Sequence, residues 1–169
     1  MSVVVEPIAE HHAESFRACL DTVARERRYI ALLEAPPLEA VREFVHANIV
    51  HDAIQFVALD GARVVGWADV ITPWQPALAH TGTLGIGVLP EYRGQGIGRR
   101  LLRAVAAKAR AKGITRIELE ARDDNERAVR VYERAGFVRE GIKRRAMCFD
   151  GTYYDTILMS LVLEDYAAI

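Results

Sequence analysis

Gly94, Gly96 and Gly98 fall on alternate positions between Arg93 and Arg99, inside the stretch V-L-P-E-Y-R-G-Q-G-I-G-R-R-L-L that runs from Val88 to Leu102. Residues without a Cβ let successive N–H groups turn toward one point. An apolar run ends at Val88, and Pro90 lacks the N–H needed to continue strand pairing. The helical pattern that follows puts the loop at a helix N-terminus, where unpaired donors and the positive dipole end attract anions. Arg93 and Arg99 add fixed charge on either side, and the combination suits a pyrophosphate. A Walker A loop would need four residues between its glycines and then Gly-Lys-Ser/Thr, which is missing. In a Rossmann G-x-G-x-x-G fingerprint the third glycine would fall at position 99, which is arginine.

Two carboxylates stand out downstream. Glu118 and Glu120 lie two apart among Ile117, Leu119 and Ala121. In a strand this spacing puts the acids on one face and the apolar residues on the other. A central strand is usually covered on both faces, so these acids need a partner such as Arg116 or Arg122, a wet cleft, or a task. On the next helical segment Asn125, Val129 and Tyr132 share one stripe. Asn125 stands where an N-cap is expected, and Tyr132 is either core with a satisfied hydroxyl or catalytic. His11, His12, His46, His51 and His80 form no metal set. Cys19 and Cys148 fit no metal spacing and read as free, buried thiols of a reducing cytoplasm.

Apolar periodicity places these residues on a definite order of elements. Strands are expected at Ser2–Ile8, Ile54–Leu59, Arg63–Ile71, Thr81–Val88, Ile114–Ala121, Phe137–Phe149 and Tyr153–Leu163. Helices are expected from Glu10 to about Arg28, Leu38 to about Val50, the glycine loop to about Lys112, and Asn125 to Ala135. Asp60-Gly61 and Asp150-Gly151 are hairpin turns. The order is that of a mixed α/β domain, and Thr81–Ala121 is long enough for a parallel crossover. The 169 residues are expected to form a single domain, residues 1–169. About half are hydrophobic (51%) and 27% charged, which is ordinary for a soluble globular protein. A net charge of −1 argues against a nucleic-acid or anionic-membrane partner. No spanning segment or signal pattern is visible, so the expected place is the cytoplasm.

The pattern Arg-x-x-Gly-x-Gly after an apolar strand resembles the acetyl-coenzyme-A loop of the GNAT superfamily of N-acetyltransferases. N-x-x-A-x-x-x-Y-x-x-x-G-F, here Asn125, Ala128, Tyr132, Gly136 and Phe137, is similar to the segment that holds the pantetheine arm in that family. Together the motifs cover about Leu84 to Phe137. The resemblance implies a central mixed sheet of about seven strands with helices on both faces, and acetyl-CoA as co-substrate with no metal. It implies that backbone groups of Ile86, Gly87 and Val88 pair with pantetheine like an added strand. Amides of Arg93, Gly94, Gln95, Gly96, Ile97, Gly98 and Arg99 would hold the pyrophosphate, with Asn125 and Ala128 near the pantetheine and Tyr132 near the sulfur. The spacing of Glu120 and Tyr132 is similar to that in ribosomal-protein alanine acetyltransferases, which implies Glu120 as base.

Such a site would work by direct transfer. An amine attacks only when neutral, and a lysine-type amine has a reference pKa near 10.4 against roughly 8 for an α-amino group. Glu120, acting through a water, would help the more basic acceptor most. A backbone N–H near Val88 would meet the oxyanion, and Tyr132 would protonate the departing thiolate. Cys148 as an acyl carrier lacks any supporting His or Asp. The tail residues Glu140-Gly141, Lys143, Asp150-Gly151, Tyr154-Asp155 and Met159 look like members that acetylate free amino acids or small amines, so a small-molecule amine is the expected acceptor. The alternatives are a protein N-terminal or lysine acetyltransferase and a non-catalytic acyl-CoA-binding domain. Trp67, Asp69, Trp74 and His80 together could line the acceptor pocket, with core packing the alternative for Trp67. The apolar C-terminal strand offers pairing across a homodimer.

Overall fold

The computed structural model describes residues 3–163; Ser2, in the first expected strand, lies outside them. The strands are β1 (Val4–Pro7), β2 (Ile54–Asp60), β3 (Arg63–Ile71), β4 (Thr81–Val88), β5 (Arg116–Arg122), β6 (Val138–Phe149) and β7 (Thr152–Val162). The helices are α1 (Ala13–Arg25), α2 (Leu38–Val50), α3 (Ile97–Ala111) and α4 (Glu126–Arg134). The expected helix from Glu10 begins instead with a 3-10 turn over Glu10–His12. Short 3-10 turns also follow the prolines at Pro76 and Pro90. The expected mixed α/β fold is what the chain forms. One sheet of seven strands runs in the order β1-β2-β3-β4-β5-β7-β6, antiparallel throughout except for the β4–β5 pair. Among the described residues no helix is long and apolar enough to cross a membrane.

The helices owe their places to their apolar stripes. Phe16, Cys19, Leu20 and Val23 of α1 are buried at i, i+3, i+4 and i+7. Phe16 meets the buried Trp67 ring edge-on at 5.9 Å between centroids. Ile97, Leu101, Val105 and Ala109 of α3 form the matching stripe beneath the sheet. Each large aliphatic side chain so buried contributes roughly 1.5–3 kcal/mol.

The pairing of β4 is what opens the sheet. It meets β5 only at Thr81–Thr83, opposite Arg116–Glu118, while β3 follows it all the way to Val88. The Leu89 amide donates to the Val65 carbonyl at 2.9 Å. Antiparallel pairs alternate between bonded and non-bonded residues, so Gly87 and Gly85 also bond to β3. The backbone groups of Ile86 and Val88 therefore face the gap that β5 leaves.

β7 lies between β5 and β6 and is paired on both sides over Thr156–Ser160. The strand-to-strand dimer expected through it has no free edge to use there. Cys148 is also a correction: Cys19 is buried, but Cys148 is exposed, because β6 forms the outer edge of the sheet.

Gly87 stands opposite Trp67, and a Cβ there would lie inside the indole ring. Gly87→Ala is expected to destabilise the fold by about 1–3 kcal/mol through overpacking, read as a lower denaturant midpoint at unchanged slope.

Candidate active site

At the end of β4 the chain turns through Gly94 (φ 82°) and Gly96 (φ 77°) into α3. These are left-handed conformations that favour glycine. Among the described residues, the amides of Gly94, Gln95, Gly96, Ile97, Gly98 and Arg99 donate to no other protein group. A Cβ at Gly98 would meet nothing, so the space beside it is open. Six free amides at a helix N-terminus make an anion site. The Arg93 amide is not among them, since it donates to the Pro90 carbonyl at 3.3 Å.

The Arg93 guanidinium also has a different task from the one its position suggests. Its Nη atoms donate to both carboxylate oxygens of Glu26 at 2.9 and 2.5 Å, and its Nε to the Val88 carbonyl at 2.9 Å. It lies 4.7 Å from the centroid of the Tyr29 ring. Arg93 thus braces the end of β4 against the end of α1, and its charge is neutralised. The gap-facing carbonyl of Val88 is satisfied by it, which leaves the Val88 amide as the free donor.

These elements enclose a cleft of about 650 Å³, lined by Ile86–Val88, the glycine loop and one face of α4. Ile86, Gly87, Val88, Arg93, Gly94, Gly96, Ile97, Gly98, Arg99, Asn125, Ala128 and Tyr132 all border it. Gln95 does not, because its side chain folds back onto the Glu91 carbonyl at 3.0 Å. Asn125 caps α4 by accepting from the Ala128 amide at 3.3 Å. Arg127, Arg130 and Arg134 also border the cleft. Sequence reasoning passed over them, although their i, i+3, i+7 spacing marks one helical face. Arg130 pairs with Glu126 at 3.0 Å. Arg99, Arg127 and Arg134 have no carboxylate partner among the described residues, so the charge on this cleft comes from both α3 and α4.

Tyr132 packs against Phe137 and borders the same cleft, with no hydrogen bond to its hydroxyl among the described residues. Burial pushes the phenol up to about 12, so it stays protonated at neutral pH and can act as a donor.

Glu118 and Glu120 share a face as expected, with Leu119 and Ala121 buried on the other. Glu118 accepts from Arg116 at 2.6 Å. Glu120 accepts from Lys143 Nζ at 3.0 Å and from Thr156 Oγ1 at 2.9 Å, and borders neither cavity. Both carboxylates are held by partners on the sheet surface.

A second cavity, of about 360 Å³, lies between α1, α2 and the sheet and touches the first at Ile86. Its walls include Phe16, Leu20, Ile30, Leu32, Val41 and Phe44, with Trp67 and Asp69 on β3. Trp67 therefore both packs in the core and lines this cavity, whereas Trp74 is 87% exposed and His80 is exposed. The 26–37 connection forms the rim. It is strapped down by Ala35 N–H to Asp21 at 2.9 Å, by Arg17 Nε to the Pro36 carbonyl at 2.7 Å, and by an Arg27–Asp150 ion pair to the β6–β7 turn. No group of three or more possible metal-binding side chains occurs among the described residues.

The pattern of the acetyltransferase (GNAT) family matches residues 9–137, which includes the splayed strand, the glycine loop and α4. The chain belongs to the GNAT family. N-alpha-acetyltransferase RimI of Mycobacterium tuberculosis is 42% identical over 92 residues, or 52% of this chain and 54% of that protein. N-alpha-acetyltransferase 30 of Schizosaccharomyces pombe is 35% identical over 116 residues, 64% of this chain and 74% of that one. The chain thus spans about half the length of the mycobacterial relative. Among solved structures, yncA of Salmonella typhimurium, determined with its cofactor acetyl-CoA, superposes with a TM-score of 0.90 at 17% identity, covering 100% of this chain and 98% of that one. That likeness shows that the whole described fold is the GNAT fold.

In this GNAT chain the Arg93–Glu26 brace is expected to be cooperative. Arg93→Ala and Glu26→Ala should each cost about 1.5–3 kcal/mol, the usual range for charge-assisted hydrogen bonds. The double variant should cost clearly less than the sum in a denaturant double-mutant cycle. Strict additivity would show that the pair carries no energy.

Proposed function

We propose that this chain transfers the acetyl group of acetyl-CoA to the α-amino group of a peptide or protein N terminus. The observation that carries the reading is the meeting, in one cleft, of the unpaired edge of Ile86 and Val88, the free amides of residues 94–99 and the Tyr132 hydroxyl. Extended pantetheine matches an unpaired strand edge, a diphosphate matches free amides at a helix N-terminus, and the open space at Gly98 lets phosphate oxygens approach the backbone. Arg99, Arg127 and Arg134 suit the remaining phosphate charge.

Acetyl-CoA supplies an activated acetyl carbon as a thioester. The chain's own groups do the rest. The Val88 amide, left free because Arg93 takes the carbonyl of the same residue, points into the gap where the acetyl oxygen would lie and is the donor for its developing charge. Tyr132 gives a proton to the departing sulfur. Glu120, bound by Lys143 and Thr156 away from both cavities, is assigned no proton transfer.

The acceptor enters from the second cavity. The tail residues suggested a small amine, but the relatives whose names specify N-alpha-acetylation favour the α-amine. A strapped rim with an apolar interior also suits the first residue of a chain.

Two measurements test this. Coenzyme-A thiol release should be fastest with peptides bearing a free α-amine and lost when that amine is blocked. Higher kcat/KM on polyamines or internal lysines would overturn the α-amine reading, and higher kcat/KM on free amino acids would overturn the peptide N-terminus reading. Tyr132→Phe should lower kcat roughly 10²–10⁴-fold, or about 2.7–5.4 kcal/mol of barrier, with calorimetric affinity for acetyl-CoA kept within about threefold. A loss below about threefold, with chemistry rate-limiting, would remove Tyr132 from the reaction.

A further inference from the structure

Among the described residues, Asp69 is the only charged one lining the second cavity. Every other wall, from α1 (Phe16, Leu20), the 26–37 segment (Ile30, Leu32, Pro36), α2 (Ala40, Val41, Phe44), β3 (Trp67) and β4 (Gly85, Ile86), carries no titratable group. Asp69 is half-buried, and among the described residues its carboxylate has no hydrogen bond and no ion pair. The fold makes room for it, since a Cβ at Gly85 would come within 2.8 Å of Asp69 Oδ1. A half-buried carboxylate without a protein partner in an otherwise apolar cavity costs stability, so its presence calls for a task.

Register fixes where it points. Asp69 pairs with Gly85, and Thr83, two residues before Gly85, pairs with Glu118. Period-two alternation then puts Asp69 on the same face as Gly85 and Gly87, over the cavity under α1 and α2. Roughly 10 Å of strand separates Gly85 from Val88. That span fits one carboxylate–ammonium contact, one attack distance of about 3–3.5 Å and one contact from the oxyanion to the Val88 amide.

We propose that Asp69 seats the acceptor's ammonium group and takes its proton, while the apolar pocket around it selects an uncharged first side chain. This rests on the N-terminal acetyltransferase reading. The proton account balances. The ammonium gives one proton to the Asp69 carboxylate, and the neutral nitrogen bonds to the acetyl carbon as the carbon–sulfur bond breaks. The sulfur receives the Tyr132 proton. The second nitrogen proton restores the Tyr132 phenol, and Asp69 releases its proton to solvent, so one proton is released per acetyl group. Burial pushes the Asp69 carboxyl up to about 7. That is within about one unit of an α-amine and more than three units below a lysine side chain. Because the two amines differ by about 2.4 units, proton transfer to the same carboxylate favours the α-amine by roughly 250-fold.

The test compares pH profiles of kcat/KM for the full chain and Asp69→Asn, using peptides that begin with free leucine, aspartate or lysine and reading coenzyme-A release. The carboxylate must be ionised and the acceptor must arrive as ammonium. The unaltered protein should therefore give a bell, rising through about pH 7 and falling above about pH 8. Asp69→Asn needs an already neutral amine, so its profile should become a single rise that levels above about pH 8, with kcat/KM at pH 7.5 down at least about 100-fold. Affinity for acetyl-CoA should stay within about threefold and the melting temperature should not fall. Asp69→Ser should give the same profile. Leucine-first peptides should exceed the charged pair by at least about tenfold.

An intact bell in Asp69→Asn, its loss in Glu120→Gln instead, or unfolding of both Asp69 variants would overturn the proposal. If peptides fail but a small amine is acetylated, the N-terminal reading falls, and the same two profiles on that amine decide the role of Asp69. Turnover of neither would overturn both.

Discussion

A β-strand cannot leave its polar edge bare without consequence, and the departure of β5 from β4 after Thr83 is the constraint on which this site depends. Backbone donors and acceptors removed from their ladder must find other partners. Here the carbonyl of Val88 is met by Arg93 and the remaining groups face a cleft. The glycine loop lies just beyond, so a gap in hydrogen bonding and a helix N-terminus border one cleft. Either feature alone is a common local irregularity. Side by side they define both the direction and the length of an extended molecule with a charged end.

The brace that holds this arrangement uses a residue that chemistry alone would assign to the ligand. An arginine beside a phosphate-type loop invites a direct contact, yet Arg93 is consumed by Glu26, Tyr29 and the strand carbonyl. Positive charge at the cleft comes instead from Arg99 on α3 and from the arginine-bearing face of α4. This division has a physical logic. A guanidinium held in a fixed bidentate pair is a good spacer between α1 and β4, while arginines without such partners can follow a ligand.

Much of the architecture was readable before any coordinates, because the apolar periods are strong. The order of strands and helices, the turns at Gly61 and Gly151, the parallel crossover and the capping role of Asn125 all follow from local pattern. The cleft motif was equally legible, since Gly94 and Gly96 adopt the left-handed backbone that their identity permits. What could not be read depends on distant pairings. Nothing local says that Arg93 will find Glu26, 67 residues away, or that Lys143 and Thr156 will hold Glu120. Nor does it show β7 entering between β5 and β6. Asp69 stood among the candidate acceptor-pocket residues in the sequence, but only the cavity shows that the other residues lining it are uncharged.

The insertion of β7 has a consequence for how the molecule is made. β1 to β4 are neighbours both in sequence and in the sheet, so their half can assemble as the chain emerges from the ribosome. β5 has only three paired residues on its β4 side and depends on Thr156–Val162 for the other. Its firm seating must therefore await the synthesis of Thr156–Val162. The cleft lies across the seam between the early half and the late one, so β7 must have been made before the two sides of the site can face each other.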